Sequence, residues 1–250
     1  VKLITFTGSG GVGWDIAERA HKKRVKLELG NATPAIVCND APPGTAAKLA
    51  ANAFSFAGQS CISVQRIFVL AEAWDDFVAE FVPAVEALQV GDPADPDTDV
   101  GPVIAESERD RILEWIRASH GDVLTGGETT GDGLIRPTVI AAPAPTDQVQ
   151  CEEVFGPVVT LTKVTSLDEA IEQANATRYG LQAAIFSSDV QACLRAAREL
   201  EFGGITVNEA PTFRADQMPY GGVKASGNTK EGPAWAVREM TEERLVVLQL

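Results

Sequence analysis

The chain contains few of the residues on which metal and histidine chemistry depend. Among its 250 residues are two histidines, His21 and His120, and four cysteines that lie far apart in the sequence. No two cysteines form a C-x-x-C pair, so the sequence predicts neither a zinc site nor a disulfide framework. A Ser-His or Cys-His dyad would need one of the two histidines. His21 lies beside Lys22 and Lys23, where we expect it to be exposed to solvent.

Long apolar runs and long basic runs are also missing. No stretch approaches the ~20 apolar residues of a membrane helix, and the start, Val1-Lys2-Leu3-Ile4, lacks the regions of a signal peptide. The longest basic run is Lys22-Lys23-Arg24, and the formal net charge of -14 disfavours contact with phosphate backbones and anionic lipid. We therefore expect a cytoplasmic protein that binds neither nucleic acid nor membranes.

Short β-branched runs alternate with amphipathic helical runs, which predicts an α/β fold with a mostly parallel sheet flanked by helices. The predicted strands are Lys2–Thr7, Lys26–Leu29, Ala35–Cys38, Arg66–Leu70, Ile135–Ala141, Val158–Val164, Gln182–Phe186, Ile205–Asn208 and Arg244–Leu250. The predicted helices are Val12–Lys23, Gly44–Phe56, Trp74–Leu88, Ser107–Ser119, Leu167–Ala176 and Val190–Leu200. The first strand has no preceding cap and the last has no hairpin partner, which suggests a fragment or a chain that pairs with something else.

A glycine-rich turn follows the first predicted strand and opens the first predicted helix. Its residues, Gly8-Ser9-Gly10-Gly11-Val12-Gly13, match the pattern G-x-G-x-x-G. Glycines in such a turn let backbone N–H groups approach a pyrophosphate at the positive end of a helix. The match is weak on its own, because glycine-rich strand-to-helix turns are common. If the turn bound a dinucleotide, Glu28 would stand where a ribose-binding carboxylate is expected.

Two further residues have both a plain and a reactive interpretation. Glu28 lies between apolar residues at the end of a predicted strand, where burial would raise the pKa of its carboxyl and suit it to general-base work. The plain alternative is an exposed glutamate at a strand edge. Cys61 follows a long predicted helix, with Gly58 freeing the backbone before it. A lone cysteine is more often a small buried hydrophobe than a nucleophile, so Cys61 alone decides nothing.

Five motifs together resemble the aldehyde dehydrogenase superfamily, in particular the catalytic domain in the C-terminal half of its members. They occur in the family's order over nearly the whole chain: Phe6-Thr7-Gly8-Ser9 with Gly13, Leu27-Glu28-Leu29-Gly30, Gly58-Gln59-x-Cys61, Glu152-Glu153-Val154-Phe155-Gly156-Pro157 and Gly221-Gly222-Val223-Lys224-x-Ser226-Gly227. The resemblance implies the fold of that catalytic domain with a remnant of the Rossmann-like cofactor domain. It also favours Glu28 as a base over Glu28 as a ribose ligand.

The resemblance implies NAD(P)-dependent oxidation of an aldehyde to a carboxylic acid, with no metal. Cys61 would form a thiohemiacetal, hydride would pass to NAD or NADP, and Glu28 would activate the water that hydrolyses the resulting thioester. The backbone N–H of Cys61 would supply half of an oxyanion hole. Ser9 would face the pyrophosphate and Glu153 the nicotinamide ribose, while a core position for Phe155 stays open. The cofactor contacts implied are Gly8, Ser9, Leu29, Glu153 and Phe155.

The family's layout also implies domain boundaries. Residues 1–30 would be the C-terminal part of the NAD(P)-binding domain, 31–228 the catalytic domain, and 229–250 a return segment with an oligomerisation strand for a homo-oligomer. The family's N-terminal half is absent, so this chain alone is expected to be truncated and poorly active. The sequence departs from the family after Leu-Glu-Leu-Gly, where Asn31-Ala32-Thr33-Pro34 replaces a second glycine and Lys or Asn. We expect this departure to alter the surroundings of the base.

The segments 60–66 and 211–220 look most like the lactaldehyde and semialdehyde dehydrogenase branch, which implies a small polar or anionic aldehyde. The substrate contacts expected are Ile62, Phe213, Arg214 and Tyr220, with Arg214 as an anion contact. Two alternatives stay open. A CoA-acylating aldehyde dehydrogenase would share the cysteine, although such enzymes usually lack a glutamate where Glu28 stands. A non-catalytic fragment would merely retain the fold.

Overall fold

Strands and helices alternate along the chain, as the β-branched and amphipathic runs predict. The computed structural model describes residues 1–250. The strands are β1 (Leu3–Thr7), β2 (Arg24–Glu28), β3 (Thr33–Val37), β4 (Val64–Leu70), β5 (Asp122–Thr125), β6 (Thr138–Ala141), β7 (Val158–Val164), β8 (Gln182–Phe186) and β9 (Gly204–Val207). The α-helices are α1 (Gly10–Arg19), α2 (Thr45–Phe54), α3 (Trp74–Glu86), α4 (Glu106–Ala118), α5 (Gln148–Cys151), α6 (Leu167–Asn175), α7 (Val190–Glu199) and α8 (Pro233–Met240).

Seven of the strands form one sheet in the order β5-β6-β7-β4-β3-β8-β9. Every neighbouring pair in it is parallel except β5 with β6, which is antiparallel at the edge. The predicted mostly parallel α/β sheet flanked by helices is therefore confirmed. Parallel strands need crossover connections, and the helices between them provide these connections and cover the faces of the sheet.

The large sheet separates two apolar layers. On one face, α2 and α3 pack against strand residues such as Ile67, with the rings of Phe77 and Phe81 stacked at 5.2 Å between centroids. On the other face, α6 and α7 cover Ile36 and Phe68. Each fully buried side chain of this size stabilises the fold by about 1.5–3 kcal/mol. Because both faces are covered, β3 and β8 are buried along their whole length.

A second, two-stranded parallel sheet joins β1 and β2 through α1. Gly13 of α1 lies so close to Leu29 that a Cβ at this position would overlap the leucine side chain. The indole Nε1 of Trp14 donates a hydrogen bond to the Ala225 carbonyl at 3.2 Å, and the N–H of Leu29 donates to the Ser226 carbonyl at 2.9 Å. These contacts hold the end of β2 beside the loop of residues 221–227.

The predicted last strand, Arg244–Leu250, is wrong for this chain, because residues 242–250 form no strand and are exposed. An isolated apolar segment cannot pair its N–H and C=O groups, and no edge of this chain accepts it. The predicted helix Val12–Lys23 instead spans Gly10–Arg19. The other predicted elements are present, with ends that agree or shift by a few residues, whereas β5, α5 and α8 were not predicted. No helix combines the length and apolar character needed to cross a membrane.

Candidate active site

The backbone after α2 turns sharply and brings Cys61 to the surface of a cleft. A 3-10 turn, Ser55–Gly58, follows α2, and Phe56 and Ala57 within it have positive φ values of 52° and 55°. Such left-handed conformations are costly for residues with a Cβ and persist only where the surroundings enforce them. Gly58 packs so closely on Gly156 that a Cβ would overlap the Gly156 carbonyl. This close packing explains the glycine before the cysteine.

The sulfur of Cys61 has one polar partner in the chain. Its Sγ lies 2.8 Å from the hydroxyl of Tyr220, although the two residues are 159 positions apart. Burial raises the pKa of the Cys61 thiol, the hydrogen bond with Tyr220 opposes that rise, and the carboxylates of Glu153 and Glu28 add to it. The backbone N–H of Cys61 has no acceptor within the chain, so it is free to donate to a ligand.

Glu28 is the last residue of β2 and is 5% exposed. Both of its carboxyl oxygens are buried without a hydrogen-bond partner. Burial raises the pKa of this carboxyl to about 8, Glu231 raises it further, and Lys230 and Arg214 oppose the rise. The plain alternative of an exposed strand-edge glutamate is wrong. A buried carboxyl with free oxygens is available to hydrogen-bond a water or a substrate atom.

Glu153 also lines the cleft and is held there by the segment that departs from the family's pattern. Its Oε1 accepts a hydrogen bond from the N–H of Asn31 at 2.9 Å. The carboxylate lies so close to Gly30 that a Cβ there would overlap it. Burial raises the pKa of Glu153 to about 7, and the Asn31 N–H and the charges of Arg111 and Arg178 oppose the rise. The Asn31 side chain is itself buried and donates to Thr33.

One cleft of about 750 Å³ collects the predicted nucleophile, base and cofactor contacts. Ser9 is exposed at the start of α1, and its side chain makes no capping hydrogen bond. Phe155 is 41% exposed, so the core alternative for this residue is wrong. The Leu29 side chain is buried against Gly13, which leaves its backbone to face the cleft. The predicted residues that line the cleft are Gly8, Ser9, Glu28, Leu29, Cys61, Glu153 and Phe155.

The predicted substrate residues lie in two different environments, and two of them pack beside Cys61. Ile62 and Tyr220 are buried and pack together with Leu181 next to Cys61. Phe213 is 52% exposed. The Arg214 guanidinium lies 4.2 Å from the centroid of the Tyr220 ring and forms an ion pair with Glu231. Arg214 therefore contacts both Tyr220 and Glu231.

Several lining residues were not predicted from the sequence. Arg111 of α4 faces the cleft, donates to the Val154 carbonyl at 2.8 Å and pairs with Glu108. Phe56 is 85% exposed at the rim, in the left-handed turn before Cys61. Arg111 carries no local signal, because it belongs to an ordinary amphipathic helix. For Phe56 the available sequence signal is its position two residues before Gly58 in the Cys61 motif.

The chain matches the model of the aldehyde dehydrogenase family over residues 1–246. It is 44% identical to a 3-sulfolactaldehyde dehydrogenase from Priestia aryabhattai over 254 residues, which cover 100% of this chain and 53% of the relative. The chain thus spans about half the length of the curated relatives it matches.

Solved structures of similar proteins share the fold. The aldehyde dehydrogenase 21 of Physcomitrella patens, solved with the reaction product succinate, is 42% identical with a TM-score of 0.93, over 96% of this chain and 51% of that one. The glyceraldehyde-3-phosphate dehydrogenase GapN of Methanocaldococcus jannaschii, solved with NADP, is 38% identical with a TM-score of 0.92, over 96% of this chain and 53% of that one.

Proposed function

Because this chain belongs to the aldehyde dehydrogenase family, we propose that it carries the catalytic residues for NAD(P)-dependent oxidation of an aldehyde to a carboxylic acid. The observation that carries the proposal is the pair formed by Cys61 and Glu28 at one cleft. One of them is a thiol with a free backbone N–H beside it. The other is a buried carboxyl whose two oxygens have no partner in the chain.

Cys61 is the nucleophile. Its thiolate adds to the aldehyde carbon, forming the C–S bond of a thiohemiacetal, while the carbonyl oxygen takes up the negative charge. The Cys61 N–H donates to that oxygen and stabilises charge that develops only in the transition state. Loss of hydride from the same carbon then leaves a thioester on Cys61. NAD(P), when bound, supplies the hydride acceptor.

Glu28 is the general base for the second half of the reaction. It takes a proton from a water molecule, the hydroxide oxygen attacks the thioester carbon, and the C–S bond breaks to release the carboxylic acid and the Cys61 thiolate. A base works best when its pKa lies near the operating pH, and the pKa of Glu28 near 8 meets this condition. Its oxygens have no hydrogen-bond partner in the chain, so they keep their capacity to accept a hydrogen bond from that water.

The remaining residues that line the cleft suit the cofactor. The exposed N-terminus of α1 at Ser9 offers free N–H groups and the positive end of a helix to a pyrophosphate. Gly8 and the Leu29 backbone face the same space. Glu153, fixed by Asn31, is an acceptor for ribose hydroxyls, and the half-exposed ring of Phe155 offers an apolar surface to the nicotinamide. A Cβ at Gly10 or Gly11 would have no atom within 4 Å, so the space beside the first residues of α1 is open to a ligand.

We place the substrate among small polar or anionic aldehydes. The similar proteins act on sulfolactaldehyde and glyceraldehyde 3-phosphate or were solved with succinate, and each of these molecules is small and carries an anionic group. Ile62 and Tyr220 pack beside Cys61, and the half-exposed Phe213 is the further substrate contact that we assign. Arg214 is 45% exposed, and its guanidinium is the anion contact we assign.

The domain assignment and the assembly belong to the same proposal. Residues 1–30 complete the cofactor domain, 31–228 form the catalytic domain, and 229–250 return to the cofactor domain. The separate pairing of β1 and β2 away from the seven-stranded sheet supports the first boundary. The last residues are apolar and exposed, with Leu245 88% and Leu248 80% exposed. Such an unpaired segment suits pairing with a second copy in a homo-oligomer.

The proposal is tested by incubating the protein with NAD or NADP and either lactaldehyde or an anionic three-carbon aldehyde. We expect NAD(P)H and the carboxylic acid in equal amounts, the same yield with and without CoA, and no product from C61A. Formation of acyl-CoA only when CoA is added would support a CoA-acylating enzyme. Absence of NAD(P) binding in a calorimetric titration, together with product formation no faster than with C61A, would support a non-catalytic fold and would overturn the proposal.

A further inference from the structure

Tyr220 is fixed beside the sulfur by both its backbone and its ring. Its N–H donates to the Glu231 carbonyl at 3.2 Å, and the Glu231 N–H donates back to the Tyr220 carbonyl. The side chain is 4% exposed and packs on Ile62 and Leu181. Only the hydroxyl remains to be paired, and it lies 2.8 Å from the Cys61 sulfur. The packing thus directs this hydroxyl at the atom that reacts.

The Tyr220 hydroxyl keeps its proton over the whole working range. Burial raises the pKa of Tyr220, the neighbouring Cys61 and Glu28 raise it further, and only Arg214 opposes the rise. A hydroxyl that does not ionise is a permanent donor, and the thiolate is the better acceptor of the two forms of the sulfur. Donation to the sulfur therefore stabilises the charged form of Cys61 relative to the neutral thiol.

Arg214 completes the arrangement from the other side of the ring. Its guanidinium lies 4.2 Å from the ring centroid and is oriented by the ion pair with Glu231, whose backbone also holds Tyr220. A cation on the face of a tyrosine ring withdraws electron density and makes the hydroxyl a stronger donor. Glu231 therefore orients Arg214, Arg214 acts on the Tyr220 ring, and the Tyr220 hydroxyl acts on the Cys61 sulfur.

We propose that Tyr220 is a catalytic residue that sets the reactivity of Cys61 by donating a hydrogen bond to its thiolate, with Arg214 as the positioning residue that acts through the Tyr220 ring. This inference rests on the proposed role of Cys61 as the nucleophile. It gives the thiolate a stabilising partner in a site where the other charged groups facing the sulfur, Glu28 and Glu153, both oppose its ionisation.

The test is the rate at which iodoacetamide alkylates Cys61 as a function of pH, followed by peptide mass spectrometry. Y220F removes only the hydroxyl. We expect its profile to move up by about one pH unit, since a hydrogen bond to a charged group has about this effect. A sulfur freed from the bond is also more nucleophilic, so the plateau at high pH rises about threefold while the rate at low pH falls about threefold.

Two controls separate this role from a structural one. Tyr179 is the other tyrosine, equally buried, and its hydroxyl bonds Arg178 and Glu152 instead of a cysteine, so Y179F leaves the Cys61 profile unchanged. R214Q keeps the Tyr220 hydroxyl and shifts the profile in the same direction by less than Y220F. In the double variant R214Q adds nothing to Y220F, because Arg214 acts through that hydroxyl.

The outcomes distinguish this inference from the proposed function. Selective alkylation of Cys61 with the same pH profile in Y220F and the unsubstituted chain would overturn the role of Tyr220 and leave the nucleophile in place. Alkylation of Cys61 no faster than that of Cys151 in the unsubstituted chain would count against the nucleophile itself. Crossing profiles, slower at low pH and faster at high pH, support the inference, since a loss of packing would change the rate in one direction only.

Discussion

At the scale of single residues, Glu28 joins catalysis to stability. The pKa of its carboxyl is raised from 4.5 to about 8, so the folded protein holds this proton more tightly than the unfolded chain. The stability contributed by the neutral acid is fully present below about pH 4.5 and is lost as the pH rises through about 8. The cause is burial of two oxygens that have no partner.

This loss predicts how E28Q behaves, because glutamine has the same size and does not ionise. Relative to the unsubstituted chain, E28Q gains stability with rising pH by at most about 1.4 kcal/mol for each unit crossed, and the gain levels off above about pH 8. Urea unfolding across this range measures it. E114Q is the matched control variant, because Glu114 is exposed on α4. A pH-independent difference for E28Q would mean that Glu28 ionises normally.

The proposed role of Glu28 as base also predicts that E28Q affects hydrolysis of the thioester and not acylation of Cys61, when an activated ester replaces the aldehyde. The ester acylates Cys61 directly and gives the same kind of thioester. Water activated by the proposed base Glu28 must then hydrolyse this thioester. E28Q is expected to release one equivalent of alcohol in a burst and then to turn over about 10²–10⁴-fold more slowly. C61A shows no burst. Equal steady rates for E28Q and the unsubstituted chain would assign the base to another residue.

The motifs singled out individual residues as candidates, and the structure adds the partners of these residues. Glu28, Cys61 and Glu153 each belong to a local motif that is visible in the sequence. The bond between Cys61 and Tyr220 joins residues 159 positions apart, and nothing local to either residue indicates it. Arg214 was expected to be an anion contact, whereas its ion pair with Glu231 and its contact with the Tyr220 ring depend on a long-range backbone pairing.

At the scale of secondary-structure elements, Asp147 ties the end of α4 to the segment before α5. Its side chain is 3% exposed and accepts hydrogen bonds from the His120 N–H at 2.8 Å, the Ser119 hydroxyl at 2.9 Å and the Ala144 N–H at 3.0 Å. Burial works to raise its pKa, but these bonds and the His120 ring outweigh burial and lower it. The carboxylate therefore stabilises the fold above the pKa of the unfolded chain.

D147N is expected to lose about 2–4 kcal/mol of stability near neutral pH, because an amide cannot accept from all these donors. The difference from the unsubstituted chain shrinks as the pH falls through the lowered pKa, since protonation then removes the advantage of the carboxylate. Urea unfolding at neutral and acidic pH measures both effects. H120A keeps the backbone donor and costs less. A constant difference at all pH values would show that the charge plays no part.

Arg66 joins three elements inside the fold. It is 2% exposed in β4, and its guanidinium donates to the carbonyls of Ala32 at 2.9 Å, Gln173 at 3.3 Å and Ala174 at 3.0 Å. Two of these carbonyls lie at the end of α6, where carbonyls lack partners within the helix. Burial lowers the pKa of Arg66 to about 10, which leaves it charged at neutral pH.

R66M is therefore expected to cost at least about 3 kcal/mol, because it leaves buried carbonyls unpaired. R66K restores a charge but not the planar set of donors, and recovers only part of the loss. R136M is the matched control, since Arg136 is half-exposed and pairs with Glu128 at the surface. Thermal unfolding compares the three variants. A loss for R66M no larger than that for R136M would contradict this account of the α6 terminus.

Whether an element could be predicted depended on how its sequence pattern relates to burial. Val158–Val164 and Gln182–Phe186 were predicted with their observed ends, because both are mostly apolar, as buried strands of a parallel sheet are. The edge strand β5 is mostly exposed and α8 buries no residue, so neither carries the expected pattern. Arg244–Leu250 is the opposite case, in which the sequence pattern of a strand is present but the strand is not. The segment has the apolar residues of a strand, but this chain offers it no partner.

At the scale of the whole molecule, the topology brings the site together. Glu28 ends β2 of the small sheet, Cys61 lies in the loop that leads into β4, and Glu153 precedes β7, which is the neighbour of β4. Short loops at the ends of these strands thus place three residues from distant parts of the sequence at one cleft. The α/β class could be predicted from the pattern, and the family's layout implied a boundary near residue 30. The contacts of α1 with Leu29 and with residues 225–226, which attach the small sheet, could not be predicted.

The central claim, that Cys61 is the nucleophile of this cleft, is tested most directly by alkylating all four cysteines and comparing their rates. Cys38 and Cys193 are buried and Cys151 lies outside the cleft, whereas Cys61 lines it and has the Tyr220 hydroxyl on its sulfur. We predict that Cys61 reacts first near neutral pH and that C61A removes the fast phase. Labelling of Cys61 no faster than labelling of Cys38 or Cys193 would contradict the account.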